Sequence, residues 1–137
     1  MKKLIGGLVL STSLVLAGSA LAQGKLDKVV RVGALGDQSG LYQDIGGPGS
    51  TVAAQMAIED SGLLAKGWKI DVISADHQNK PDLGVTIGKQ WIDVEKVDVI
   101  VALASSGEGL AHANLAKERN VVNLNSEIGS AAGREGV

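Results

Sequence analysis

Apolar and polar positions alternate between two periods along this chain. Val29 to Leu35 (VVRVGAL) is short, β-branched and almost wholly apolar, the pattern of a strand buried on both faces. A glycine-rich loop, Gly36 to Ser50, follows. Thr51 to Asp60 (TVAAQMAIED) then reads as a helix, with Val52, Ala53, Met56 and Ala57 as its apolar stripe. Ser50 is placed to cap its start and Ser61-Gly62 to stop it.

The same unit recurs. Trp68 to Ala75 (WKIDVISA) alternates as a second strand, and Asp76 to Lys80 is a polar loop. Pro81 stands where a first helical turn tolerates proline, with Asn79 expected to cap the turn. Leu83 to Val94 predicts a second helix, with Ile87, Trp91 and Val94 on its inner face. Asp98 to Leu103 (DVIVAL) is a third strand, Leu110 to Arg119 a third helix, and Val121 to Asn125 a fourth strand. Strands alternating with helices of about ten residues predict βαβ units and a parallel sheet covered on both faces. Ser126 to Val137 is a polar tail of small residues that follows the last strand.

The first residues carry a different signal. Lys2 and Lys3 precede an apolar run, Leu4 to Leu16, and Ala20-Leu21-Ala22 fits a small-x-small cleavage site. Residues 1–22 therefore read as a secretory signal peptide cut before Gln23, and residues 23–137 as one incomplete lobe. An uncleaved membrane anchor is the competing reading. With no cysteine in the chain, neither a lipid anchor at the cleavage site nor a disulfide is available. The expectation is an exported, periplasmic protein that is not a lipoprotein.

Composition removes some function classes. A formal net charge of −2 with scattered charges argues against a nucleic-acid partner. The glycines of GALGDQSG have the wrong spacing for a dinucleotide fingerprint, and GGPGS lacks the Lys-Ser/Thr of a phosphate loop. His77 and His112 lack metal-ligand spacing, so neither a metal nor a cofactor is expected. ASSGEG misses the G-x-S-x-G of a hydrolase elbow, because Ala104 replaces the first glycine. His112 reads as a surface or packing residue.

The loops after the strands hold the remaining candidates. Tyr42, the only tyrosine, can wall a pocket from the first loop. Ser105 lies three residues before Glu108, the spacing of a capping box. The same helix start offers Ser105, Ser106 and the Gly107 amide to a carboxylate, although Glu108 brings negative charge to it.

Taken together, VRVGALGDQSGLYQDIGGPGS, SADHQNKPD, VDVIVALASS and NLNSEIGS resemble the start of an ABC-transporter solute-binding protein. The similarity is to the branched-chain amino acid and amide family, and it covers nearly the whole mature chain. It implies a three-layer, doubly wound α/β lobe, here the partial N-terminal lobe of a type I periplasmic binding fold. It implies a non-enzyme that closes on a small solute (an amino acid, amide or small organic acid) and delivers it to the membrane permease of an ABC importer. Carried over by position, the ligand's carboxylate would meet Ser105 or Ser106, Ile128 and Ser130, with Tyr42 close by. Glu108 and Glu127 depart from that pattern, and the chain lacks a second lobe. A receptor's ligand-sensing domain and an α/β hydrolase-like enzyme are the alternative readings.

Overall fold

The computed structural model describes residues 27–101 and 105–125. The signal peptide, Ile128, Ser130 and Glu127 lie outside the described residues.

Four parallel strands form one sheet: β1 (Val29–Gly36), β2 (Lys69–Asp76), β3 (Val99–Val101) and β4 (Val122–Leu124), in the order β2-β1-β3-β4. Strand β1 pairs in register with both neighbours, Gly33 lying between Ile73 and Ile100. Its central place explains its composition. Val32, Ala34 and Leu35 are all buried, so both faces must be apolar. Strand β2, at the edge, alternates between exposed and half-buried positions from Lys69 to Val72 and has no fully buried residue.

The helices are α1 (Gln43–Gly46), α2 (Pro48–Asp60), α3 (Pro81–Gln90) and α4 (Ser106–Arg119). They cover both faces. On one face Leu35 and Ile100 pack with Trp91 and Val97, flanked by Ile73, Ala75, Ile87 and Ile92. On the other, Ile58 of α2 borders the same groove as Ile70 and Val72 of β2. The expected doubly wound sheet is therefore present.

Several local expectations need correction. Helix α2 begins at Pro48, so Ser50 lies inside its first turn and caps nothing. The residue before α2 is Gly47, which has no side chain to cap with, and Pro48 sets the helical φ instead. The stripe Val52, Ala53, Met56 and Ala57 faces outward, Met56 being 57% exposed. Alanines on several sides leave this helix no dominant apolar face, and Thr51, Ala54 and Ile58 are the half-buried positions. Asn79 does not cap α3. Lys80 is the N-cap residue, and Asn79 turns through φ 53° while its N–H donates to His77 Nδ1 at 3.0 Å.

After Gln90 the helix widens into a π-type turn, Trp91–Glu95, that ends at left-handed Lys96. A wider turn shifts the phase of later residues. Trp91 stays in the core, Val94 swings out to 67% exposure, and Val97 fills the vacant inner position. Helix α4 starts at Ser106, four residues before the apolar pattern predicts.

Candidate functional site

The strand order places the site. The connection from β1 leads outward to β2, and the next one returns across β1 to β3. The direction of winding therefore reverses between the exits of β1 and β3. In open parallel sheets, ligands bind outside the carboxyl ends of the strands at such a switch point. The loop holding Tyr42 leaves β1, and the loop holding Ser105 leaves β3.

The first loop is built around a buried carboxylate. Asp37 is fully buried, and its two oxygens accept from Gly40 N at 2.8 Å and Tyr42 N at 2.9 Å. This fixes the backbone that carries the half-buried Tyr42. Asp76, at the end of β2, ties the first loop to the second. It accepts from Gln38 N at 2.9 Å, Gln78 N at 2.8 Å and the Ser39 hydroxyl at 2.5 Å. Burial opposes its charge, but the bonds from Ser39, Gln78 and Gln38 outweigh that and hold its pKa below the ordinary 3.8.

Ser105, Ser106 and Gly107 share the start of α4. Ser105 is the N-cap, with extended backbone, and its hydroxyl accepts from Glu108 N at 3.3 Å. Both serines are half-buried and Gly107 is exposed. The capping box is only half formed, since neither oxygen of the Glu108 carboxylate finds a hydrogen-bond donor. That carboxylate turns away from the helix start and packs over Gly84 of α3. Sequence placed a negative charge beside the serines, whereas the structure buries it between the helices.

There Glu108 meets two residues that sequence left apart. His77 Nδ1 lies 3.5 Å from Glu108 Oε1, and His112 Nδ1 lies 3.7 Å from Oε2. All three side chains are fully buried. The reading of His112 as a surface residue does not hold, because α4 turns its ring against α3, one of the two roles sequence allowed. Its ring nitrogens face the carbonyl oxygens of Glu108, at 3.0 Å, and Gly84, at 3.1 Å. The only legible signal was the i, i+4 spacing of Glu108 and His112, which puts them on one helix face.

Burial moves these groups toward their neutral forms. The Glu108 carboxyl is pushed up to about 7, first by burial and then by the charges of Asp37 and Asp82. Burial holds His112 below its ordinary value, against the pull of the two carbonyls. His77 is lowered too, again chiefly by burial, while Asp37 pulls the other way. Among the described residues, no group of three His, Asp or Glu side chains is arranged to hold a metal ion.

The fold and sequence have close parallels. A periplasmic binding protein from Burkholderia mallei is 35% identical, with a TM-score of 0.70 over 77% of this chain and 28% of that one. A branched chain amino acid ABC transporter periplasmic ligand-binding protein from Burkholderia xenovorans LB400 is 39% identical, with a TM-score of 0.68 over 72% and 26%. An ABC-transporter solute binding protein from Rhodopseudomonas palustris BisB5, in complex with 3,4-dihydroxy benzoic acid, is 25% identical, with a TM-score of 0.69 over 80% and 30%. The chain thus spans under a third of the length of each of these structures. No functionally curated protein matches it. No described helix is long and apolar enough to cross a membrane. The periplasmic binding protein family model matches residues 29–136, nearly the whole of the predicted mature chain, and with the α/β sheet and its switch point this makes the chain a member of that family.

Proposed function

We propose that this chain is a solute-gripping lobe of the extracytoplasmic binding component of an ABC importer, acting in the periplasm after removal of residues 1–22. The observation that carries the reading is the start of α4. Ser105 caps it at the β1/β3 switch point, and Ser106 and Gly107 form its first turn. A helix start presents unpaired N–H groups and a partial positive charge, which favour an anion. The Glu108 carboxylate is withdrawn from that end and buried against Gly84.

The solute is a small carboxylate. Relatives support this class: one is described as a branched chain amino acid transporter component, another holds 3,4-dihydroxy benzoic acid. Tyr42, in the loop after β1, is assigned to the same site, as are Ile128 and Ser130 by the resemblance alone, since both lie outside the described residues. The permease partner follows from the same reading, and no catalytic step is assigned to the lobe.

Calorimetric titration of the full chain with branched-chain amino acids and hydroxybenzoates tests this. We expect saturable binding of at least one carboxylate and none of its amide or ester. Equal binding of acid and ester would remove the helix start as the anion site.

A further inference from the structure

We propose that His77, Glu108 and His112 form a proton-linked latch that fastens the loop after β2 and helix α3 to the first turns of α4. The latch is closed while Glu108 keeps its proton and opens when that proton is lost.

The geometry is that of a sealed polar joint. The three side chains come from the β2 exit and α4, and α3 closes over them. Gly84 and Gly88 make the close approach possible. A methyl group at Gly84 would collide with the Glu108 carboxylate, and one at Gly88 would lie 2.9 Å from His112 Nε2. Inside the joint, His77 Nδ1 accepts from Asn79 N, so a neutral His77 ring carries its proton on Nε2. His77 Nε2 and both Glu108 carboxyl oxygens lack hydrogen-bond partners. His112 faces two carbonyls, which accept only, so a neutral ring gives its one N–H to a carbonyl and has none left to donate to Glu108.

The charges around the joint are largely of one sign. Asp37 faces it from the β1 loop, Asp76 from the end of β2 and Asp82 from α3. Among the described residues, no lysine or arginine pairs with Glu108, and the titratable side chains within ion-pair range of it are the two histidines. An ionised Glu108 would be a buried charge without a donor, beside carboxylates, and such a charge is expelled or drives the site open. A neutral Glu108 carries no such penalty. Because His112 shares its pocket, the two groups titrate as a coupled unit.

Opening would loosen the turn that begins at Ser105. Any effect on solute capture rests on the function proposed above, but the latch itself does not.

The test needs no solute. The full chain, labelled with ¹³C-glutamate, is titrated from about pH 4 to about pH 9 while the Glu108 carboxyl signal is followed. Hydrogen exchange of the α4 amides is measured in parallel and corrected for the intrinsic pH dependence. We expect Glu108 to titrate well above the ordinary carboxylate range, and protection of the turn around Glu108 to His112 to fall at least about tenfold across that transition. In Glu108→Gln the protection should not change with pH. If that variant does not fold, correlation through the Glu108 backbone assigns the signal in the unaltered chain. An ordinary midpoint, or unchanged protection across a raised one, overturns the latch. Failure to bind any carboxylate would overturn the proposed function and leave this result standing.

Discussion

The ring of Trp91 lies against the backbone of Gly33, so close that a methyl group there would stand 2.5 Å from Trp91 Cε3. The contact joins the end of α3 to the central strand and seats the ring among Leu35, Val97 and Ile100. Cores filled this tightly resist added volume. Gly33→Ala should therefore destabilise the chain by about 1–3 kcal/mol. Trp91→Ala should cost about 3–5 kcal/mol through the cavity it leaves. Urea unfolding of both variants checks the pair, and an unchanged midpoint for Gly33→Ala would show that the ring moves freely.

Glu108 should make stability depend on pH in a defined direction. Its folded pKa, about 7, lies above its ordinary 4.5, so the folded state holds this proton more tightly than the unfolded state. Relative to Glu108→Gln, the natural chain should lose stability as pH rises from 4.5 to about 7, and then level off. The lowered histidines act oppositely, costing stability as pH falls below 6.5, and they are present in both proteins. Thermal unfolding across pH reads the difference, and a gap that stays constant with pH would contradict the assignment.

Gly84→Ala should destabilise the α3–α4 contact, because its methyl group meets the Glu108 carboxylate. Shortening Glu108 to Ala removes the obstacle. The two substitutions should therefore be coupled, with the double variant losing less than the sum of the singles by about 0.5–3 kcal/mol. Additive losses in a double-mutant cycle would mean that the carboxylate is not what occupies the space above Gly84.

The two serines at the start of α4 should separate by role. Ser105 accepts from Glu108 N, so Ser105→Ala should cost about 0.5–2 kcal/mol of stability with or without solute. Ser106 has no cap to lose. Ser106→Ala should leave the unfolding midpoint in place and weaken carboxylate binding by about 1–3 kcal/mol. Unfolding curves and calorimetry on the same samples distinguish the two, and an unchanged affinity would remove Ser106 from the proposed site.

Asp76 gives a further pH dependence of the other sign. Its folded pKa is depressed below 3.8, so its contribution is present above that value and is lost as pH falls through the folded pKa. Asp76→Asn should remove the charge and the acceptor for the Ser39 hydroxyl while keeping one oxygen for Gln38 N, and abolish that part of the acid sensitivity. Acid titrations followed by circular dichroism would show it, and superimposable curves would argue against the tether.

Local pattern carried much of the architecture. The apolar run of β1 required a strand covered on both faces, and its alternation with helical periods required parallel βαβ units. Pro81 marked the start of α3, and Ser105 with Glu108 marked that of α4. These are decisions made within a few residues, by φ restriction, cap chemistry and side-chain period. What lay beyond the sequence was every choice between chemically similar partners. Whether α2 buried Met56 or Ile58 depended on where the sheet offered space. Whether Glu108 returned to Ser105 or turned to α3 depended on Gly84, more than twenty positions away. The meeting of His77, Glu108 and His112 depended on the strand order, which brings the β2 exit beside α4. The sequence by itself determined the strands, the three longer helices and the family, because periodicity and caps act locally, but not α1, which lies inside the predicted Gly36 to Ser50 loop. The tertiary structure alone decided which buried groups face one another, because burial and charge act through space.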